Sequence, residues 1–242
     1  MNERKVSAVP AAVLAALVLA LGLQLELRRE MPPARAGASD LSPAPGLTGL
    51  RLAALGDPIP LAKVLMLYLQ AFDLNAANAI PYQALDYATL EQWLLRILWL
   101  DPTGQYPLFA ASRVYADVPD EARQRRMLDL VYREFRADPD RRWPWLAHAA
   151  AMAKHRLKDL ALARRYAAAI QQHAKGEHVP LWAKQMEIFI LEDMNELETA
   201  RVMIGGFLDS GMISDPAEIR FLDRRLREIQ DRMRQPSGSP GN

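Results

Sequence analysis

Four histidines, His148, His155, His173 and His178, are the first residues to question for chemistry. His148 and His155 stand seven apart, which on a helix places them on one face but two turns, about 10 Å, from each other. A metal ion needs each ligand at about 2 Å, so this spacing fails without a third residue bridging in. Each histidine reads as solvated or hydrogen-bonded, and no metal site is expected. The chain has no cysteine, which removes disulfides, thiol nucleophiles, iron–sulfur ligation and a cysteine lipid anchor in one step. No Gly-rich phosphate loop, HExxH or GxSxG is present. Carboxylates are numerous, but along helices they serve caps and surface ion pairs. Arg123/Arg125/Arg126, Arg164/Arg165 and Arg224/Arg225/Arg227 lie among acids and read as solvated faces. The residues therefore predict a non-enzymatic protein with no catalytic residue, cofactor or small-molecule substrate. The enzymatic alternative is a hydrolase or transferase on an α-helical scaffold, with acids such as Asp117 and Glu187 facing a cleft.

Charge narrows the partners. The formal net charge is +1, and residues 1–51 hold six Lys/Arg against four Asp/Glu, leaving 24 against 25 in the rest. A near-neutral folded part carries no electrostatic footprint for nucleic acid. Half of the residues are hydrophobic and about a quarter charged, an ordinary globular balance. The length allows one domain plus an accessory segment.

One interval, 37 residues, positions the rest. Leu108, Trp145 and Trp182 keep it, as do Tyr115, Met152 and Phe189, and the pairs Leu160/Leu197, Ala163/Ala200, Pro107/Pro144 and Asp101-Pro102/Asp138-Pro139. A fixed period of this size points to stacked supersecondary units rather than one closed catalytic core. No period-two strand is convincing, and Pro/Gly/Asn/Asp clusters cut the chain into helix-sized pieces. The pairs predicted are Gln105–Ala116 with Asp120–Ala137, Trp143–Arg156 with Asp159–Ala174, and Leu181–Met194 with Glu196–Asp209. Thr89-Leu90-Glu91-Gln92 and Asn195-Glu196-Leu197-Glu198 read as capping boxes, and Gly205-Gly206 reads as a site of close helix–helix approach. Asp215-Pro216-Ala217-Glu218 starts a last helix. Its single stripe of Ile219, Leu222, Leu226, Ile229 and Met233 suits a cap on the open end of a stack.

Ahead of the repeats, residues 6–25 form twenty residues without a charge. As a helix this run is roughly 30 Å long, about the thickness of the hydrocarbon core. It reads as an uncleaved signal-anchor over residues 1–27, inserted in the membrane through residues 6–25; a cleaved signal ending at Ala34-Arg35-Ala36 is the competing reading. A short N-terminal tail of this kind usually stays cytoplasmic, which exports the bulk of the chain. Residues 28–49 are rich in Pro, Ala, Gly and Ser and read as a spacer, residues 50–234 as the helical domain, and residues 235–242 as a disordered tail. The two first helices, Leu61–Phe72 and the run ending WLLRILWL, are apolar on most sides and belong in the core. The alternative is a structural subunit that packs these early helices on a membrane partner.

The paired helices resemble tetratricopeptide repeats. Trp145, Ala149 and Met152 fall on the pattern of that family's first helix, as do Trp182 and Phe189 in the next unit and Leu108, Ser112 and Tyr115 in the one before. Ala163 and Ala200 resemble the second-helix alanines, and Pro102 and Pro139 the closing prolines. The period departs from the family's, 37 residues here against about 34 there, and Met186 and Met152 replace a small residue and an aromatic. The resemblance implies an all-α superhelix of about four helix pairs plus a C-terminal capping helix, with lengthened turns. It also implies a groove lined by Phe109, Arg113, Trp143, Lys154 and Glu187, suited to a protein or peptide segment. The expectation is a membrane-anchored scaffold or assembly factor of a bacterial envelope, secretion or cofactor-maturation complex. Its place would be the inner membrane, crossed once, with the helical domain in the periplasm.

Overall fold

A computed structural model describes residues 10–30, 41–74, 82–211, 213 and 215–234. Twelve α-helices and no strand occur among them. They are α1 (Ala11–Glu30), α2 (Leu47–Ala53), α3 (Pro58–Leu74), α4 (Tyr87–Leu100), α5 (Tyr106–Ala110), α6 (Glu121–Phe135), α7 (Pro139–His155), α8 (Leu160–His173), α9 (Leu181–Lys184), α10 (Met186–Asp193), α11 (Leu197–Asp209) and α12 (Pro216–Arg234). The chain is all-α. Residues 1–9, 31–40 and 235–242 lie outside the described residues, and with them the start of the expected anchor, the middle of the expected spacer and the expected tail.

Helices pack in chain order. α3 lies on α4, α4 on α5 and α6, α6 on α7, α7 on α8, α8 on α10, α10 on α11, and α11 on α12. Ala163 and Ala200, 37 apart, are both fully buried. Interactions between neighbouring pairs fall at the same interval: the Tyr166 hydroxyl donates to Asp129 at 3.0 Å across 37 residues. Others span 33 to 40, such as Arg225 to Glu192 and Arg142 to the Pro102 carbonyl. The apolar interior forms a large cluster from Leu41 to Ile190 and a smaller one from Ile188 to Ile229. Packing begins ahead of residue 50, since Leu41 and Leu50 are buried and Trp93 Nε1 donates to the Ser42 carbonyl at 2.8 Å.

Three first helices widen at their ends. α5 runs on as a π turn over Ala111–Tyr115, where Ala116 N–H reaches the Ala111 carbonyl at 3.0 Å. Leu157 reaches Met152 at 3.2 Å and Glu196 reaches Leu191 at 2.8 Å in the same five-residue step. Lys158 and Asn195, again 37 apart, take the left-handed conformation (φ 56° and 60°). With Asn195 N–H on the Glu192 carbonyl at 3.0 Å, α10 closes in a Schellman motif. Asn195 thus ends one helix instead of opening the next, which corrects the second capping box.

Other helix starts also differ from expectation. Asp86 caps α4, accepting from Thr89 N at 3.0 Å and from the Thr89 hydroxyl at 2.6 Å, so the Thr89 box is not formed. An aspartate placed three residues earlier satisfies the same donors without help from Gln92. Pro139 sits at the first position of α7, not at the close of α6, because its missing N–H costs nothing there. Gly205 and Gly206 have nothing within 4 Å of an added Cβ, so no helix approaches them closely. Asp215 accepts from Ala217 N at 2.8 Å and caps α12.

Among the described residues no single helix is long and apolar enough to cross a membrane. The apolar part of α1 covers Ala11–Glu26, and its side chains are exposed throughout.

Candidate functional site

The first helices of successive pairs carry aromatic rings that meet across the helix boundaries. Tyr106 and Phe109 on α5 lie 5.4 Å apart, and Phe109 meets Trp145 of α7 edge-on at 5.5 Å. Trp145 is held by its indole N–H, which donates to Gln105 Oε1 at 2.7 Å. Two residues before it, Trp143 meets Trp182 of α9 edge-on at 5.4 Å. Edge-to-face pairs at these distances contribute about 0.5–1.5 kcal/mol beyond the area they bury. The rungs join α5 to α7 and α7 to α9. Their outer members stay accessible: Tyr106 and Trp182 are both exposed, Trp182 by 52 %.

The five expected groove residues separate. Phe109 and Trp143 belong to two different rungs, each with its own partner. Lys154 forms an ion pair with Asp193, joining α7 to α10. Arg113 is exposed on the π turn and lies close enough to His148 to act on its charge. Burial, then Arg113, holds the His148 imidazole below its ordinary pKa, while Asp117 opposes them. Glu187 does not face out: it is 7 % exposed and its carboxylate accepts from Arg164 Nε of α8 at 3.1 Å. The one-residue advance of the π turn and the break at Gln185 between α9 and α10 rotate later side chains away from a straight-helix register.

Other polar groups do structural work that spacing did not signal. The Arg142 guanidinium, almost fully buried, donates to the Pro102 carbonyl at 2.8 Å and to Glu134 Oε2 at 3.1 Å, tying α7 to the turn after α4 and to the end of α6. Asp159 caps α8 through Leu162 N at 2.9 Å; that bond first, and Arg125 at 2.8 Å second, hold its carboxyl below the usual range. The Tyr166 phenol is pushed up by burial and by Asp129. Glu192, buried, accepts from Arg225 of α12 at 2.9 Å.

A polar cavity of about 570 Å³ opens between the turn after α5 and the start of α6, lined by Tyr82, Asp117, Glu121, Gln124 and Arg156 among others. Asp117 pairs there with Arg156, and Glu121 with Arg125 at 2.8 Å. Glu187 does not line it. Both acids are more than half exposed and ion-paired, so the cavity offers hydrogen bonds and fixed charges rather than a desolvated acid–base couple. Among the described residues no three His, Asp or Glu side chains gather as metal ligands. Comparison with protein-family models, with characterised proteins and with solved structures gives no match.

Proposed function

We propose that this chain is a membrane-anchored scaffold that binds a protein or peptide segment along a tetratricopeptide-like superhelix. The array comprises about four helix pairs: α3/α4, α5/α6, α7/α8 and α9–α10/α11, closed by α12. α1, together with the charge-free residues before it, is the anchor, and the bacterial inner membrane with an exported helical domain is the setting. An assembly factor for an envelope, secretion or cofactor-maturation complex is the role that this architecture serves. The observation that carries the reading is the aromatic ladder from Tyr106 to Trp182, which runs across the first helices of three successive pairs and keeps its outer rings accessible. Rigid, partly accessible aromatic side chains are the usual anchors for a peptide segment. The i→i−5 helix ends also support it, since wider turns account for residues beyond the family's period.

The test is crosslinking in intact cells followed by purification of the full chain. A specific protein should be recovered, and recovery should fall about tenfold with Trp182→Ala, or with Phe109→Ala plus Trp143→Ala, at unchanged helicity. Trp182 is half exposed, so its loss leaves the core alone. Recovery that survives all three substitutions sinks the groove assignment.

A further inference from the structure

The folded part shows water an apolar surface at its N-terminal end. On α3, Ala62, Met66 and Leu69 are buried, facing α4, while Val64 and Leu67 are exposed on the opposite side and Tyr68, part-exposed at the edge, packs on Trp93 of α4. The end of α2 adds Leu52 at 73 % exposure and the turn after it Leu55 at 92 %. Single exposed leucines are ordinary, but a run of them on one element is not. Leu55 is also left-handed at φ 48°, followed by Gly56 at φ 93°. Asparagine or glycine would fit that turn at lower cost than a leucine. A nearly bare leucine in a strained tip gains nothing from the described residues around it.

Three features choose the occupant. The first is chain length. α1 ends at Glu30 and the folded part resumes at Leu41, so the residues between reach at most about 35 Å. The second is where that link lands. The Ser42 carbonyl accepts from Trp93 Nε1, and the Trp93 ring lies 5.2 Å from Tyr68 at the edge of the exposed side of α3. The tether therefore arrives beside the apolar surface and not at the far end of the stack. The third is the margin. Arg51 lies over the Trp99 ring at 5.4 Å, and Tyr68, Trp99 and Tyr106 are all partly exposed, with Lys63 exposed among them. Amphipathic rings and long cationic side chains around an apolar patch match the headgroup level of a bilayer.

We infer that α2 and α3 rest in the interfacial layer of the membrane that holds α1, with Leu52, Leu55, Val64 and Leu67 among the acyl chains. This rests on the anchor reading above. α2 and α3 are bent by 114° to each other and together are apolar enough to span. α3 is nevertheless committed to α4 along one side, which fits a helix lying in the surface rather than crossing it. The domain is thereby laid on the bilayer by its first pair, and the aromatic ladder begins at that margin with Tyr106.

The absence of cysteine allows single labels in the full chain. Leu17→Cys, Leu55→Cys, Leu67→Cys and Val202→Cys, each exposed, carry an environment-sensitive fluorophore in phosphatidylcholine vesicles with or without brominated lipid. The expected result is blue-shifted emission at 17, 55 and 67 with roughly half of it lost to the brominated chains, and neither effect at 202. Quenching at 17 with 55 and 67 behaving like 202 overturns the inference and leaves the anchor standing. Blue-shifted but unquenched labels at 55 and 67 overturn it in favour of a second copy or a protein partner. An unquenched label at 17 fails the anchor reading itself, and this inference with it.

Discussion

Pro144 lies inside α7 and has no N–H to give to the carbonyl four residues back, that of Asp140. His178 supplies the donor: its Nε2 is 2.7 Å from the Asp140 oxygen, which as an acceptor requires the proton on Nε2. The same loop returns Gly176 N–H to Asp140 Oδ1 at 2.7 Å, and a Cβ at Gly176 would meet the His178 ring at 2.8 Å. A histidine that reads in the sequence only as solvated or hydrogen-bonded is therefore the repair of a helix interrupted by proline. We expect His178→Ala to cost about 1–2 kcal/mol of stability. In a Pro144→Ala background, where the backbone donor returns, that cost should shrink by at least about 0.5 kcal/mol. Denaturant unfolding of the four chains gives the coupling directly. Equal costs in both backgrounds would separate His178 from Pro144 and leave the ring with a packing role only.

Within α11, glycine weakens the helix without a steric return. Gly205 and Gly206 meet nothing within 4 Å beyond Cα, and the helix is continuous through both. Gly205→Ala and Gly206→Ala should each stabilise by about 0.5–1 kcal/mol, read as a later urea midpoint at unchanged slope. Destabilisation by either would mean that another chain packs against this face. The same element shows where reading residues succeeds. Type and order of helices follow from apolar periodicity, and Asp215-Pro216 is legible as a start; Asp57-Pro58 and Asp138-Pro139 open helices as well, although the first is not among the expected starts and the second reads as a helix end. The fourth such pair, Asp101-Pro102, opens a turn through Thr103 N–H on Asp101 Oδ1 at 3.2 Å. No local signal separates it from the others. Nor does one mark the π turn after Ala110 or the break at Gln185, because these are set by packing between pairs. The break at Gln185 rotates the side chains beyond it, and Glu187, two residues on, is turned into α8. Phe109 and Trp143, expected in one groove, sit on two separate aromatic rungs, so spacing places each on its helix but not on a shared face.

At the scale of the whole chain, packing runs from neighbour to neighbour, so stability should be divided along it rather than shared. The interior already suggests the division. Ile188, Leu191, Ala200, Ile204, Phe207, Ile213, Leu222 and Ile229 form a separate small cluster under α12. α12 presses on α11 through Leu222 and Ile229 and is held to α10 by Arg225 on the buried Glu192 carboxylate. Leu222→Ala removes one of its two fully buried anchors. In so small a cluster the neighbours can partly collapse into the gap, which puts the loss near the lower end of the Leu→Ala range, about 2–3 kcal/mol. That loss should appear as faster amide hydrogen exchange in α11 and α12. The protected amides of α7 and α8, which sit in the larger interior, should be unmoved. Exchange that accelerates equally in α7–α8 and α11–α12 would make the domain one cooperative unit. Confined acceleration would instead leave α11 and α12 free to open alone, at the end of the described chain farthest in sequence from α1.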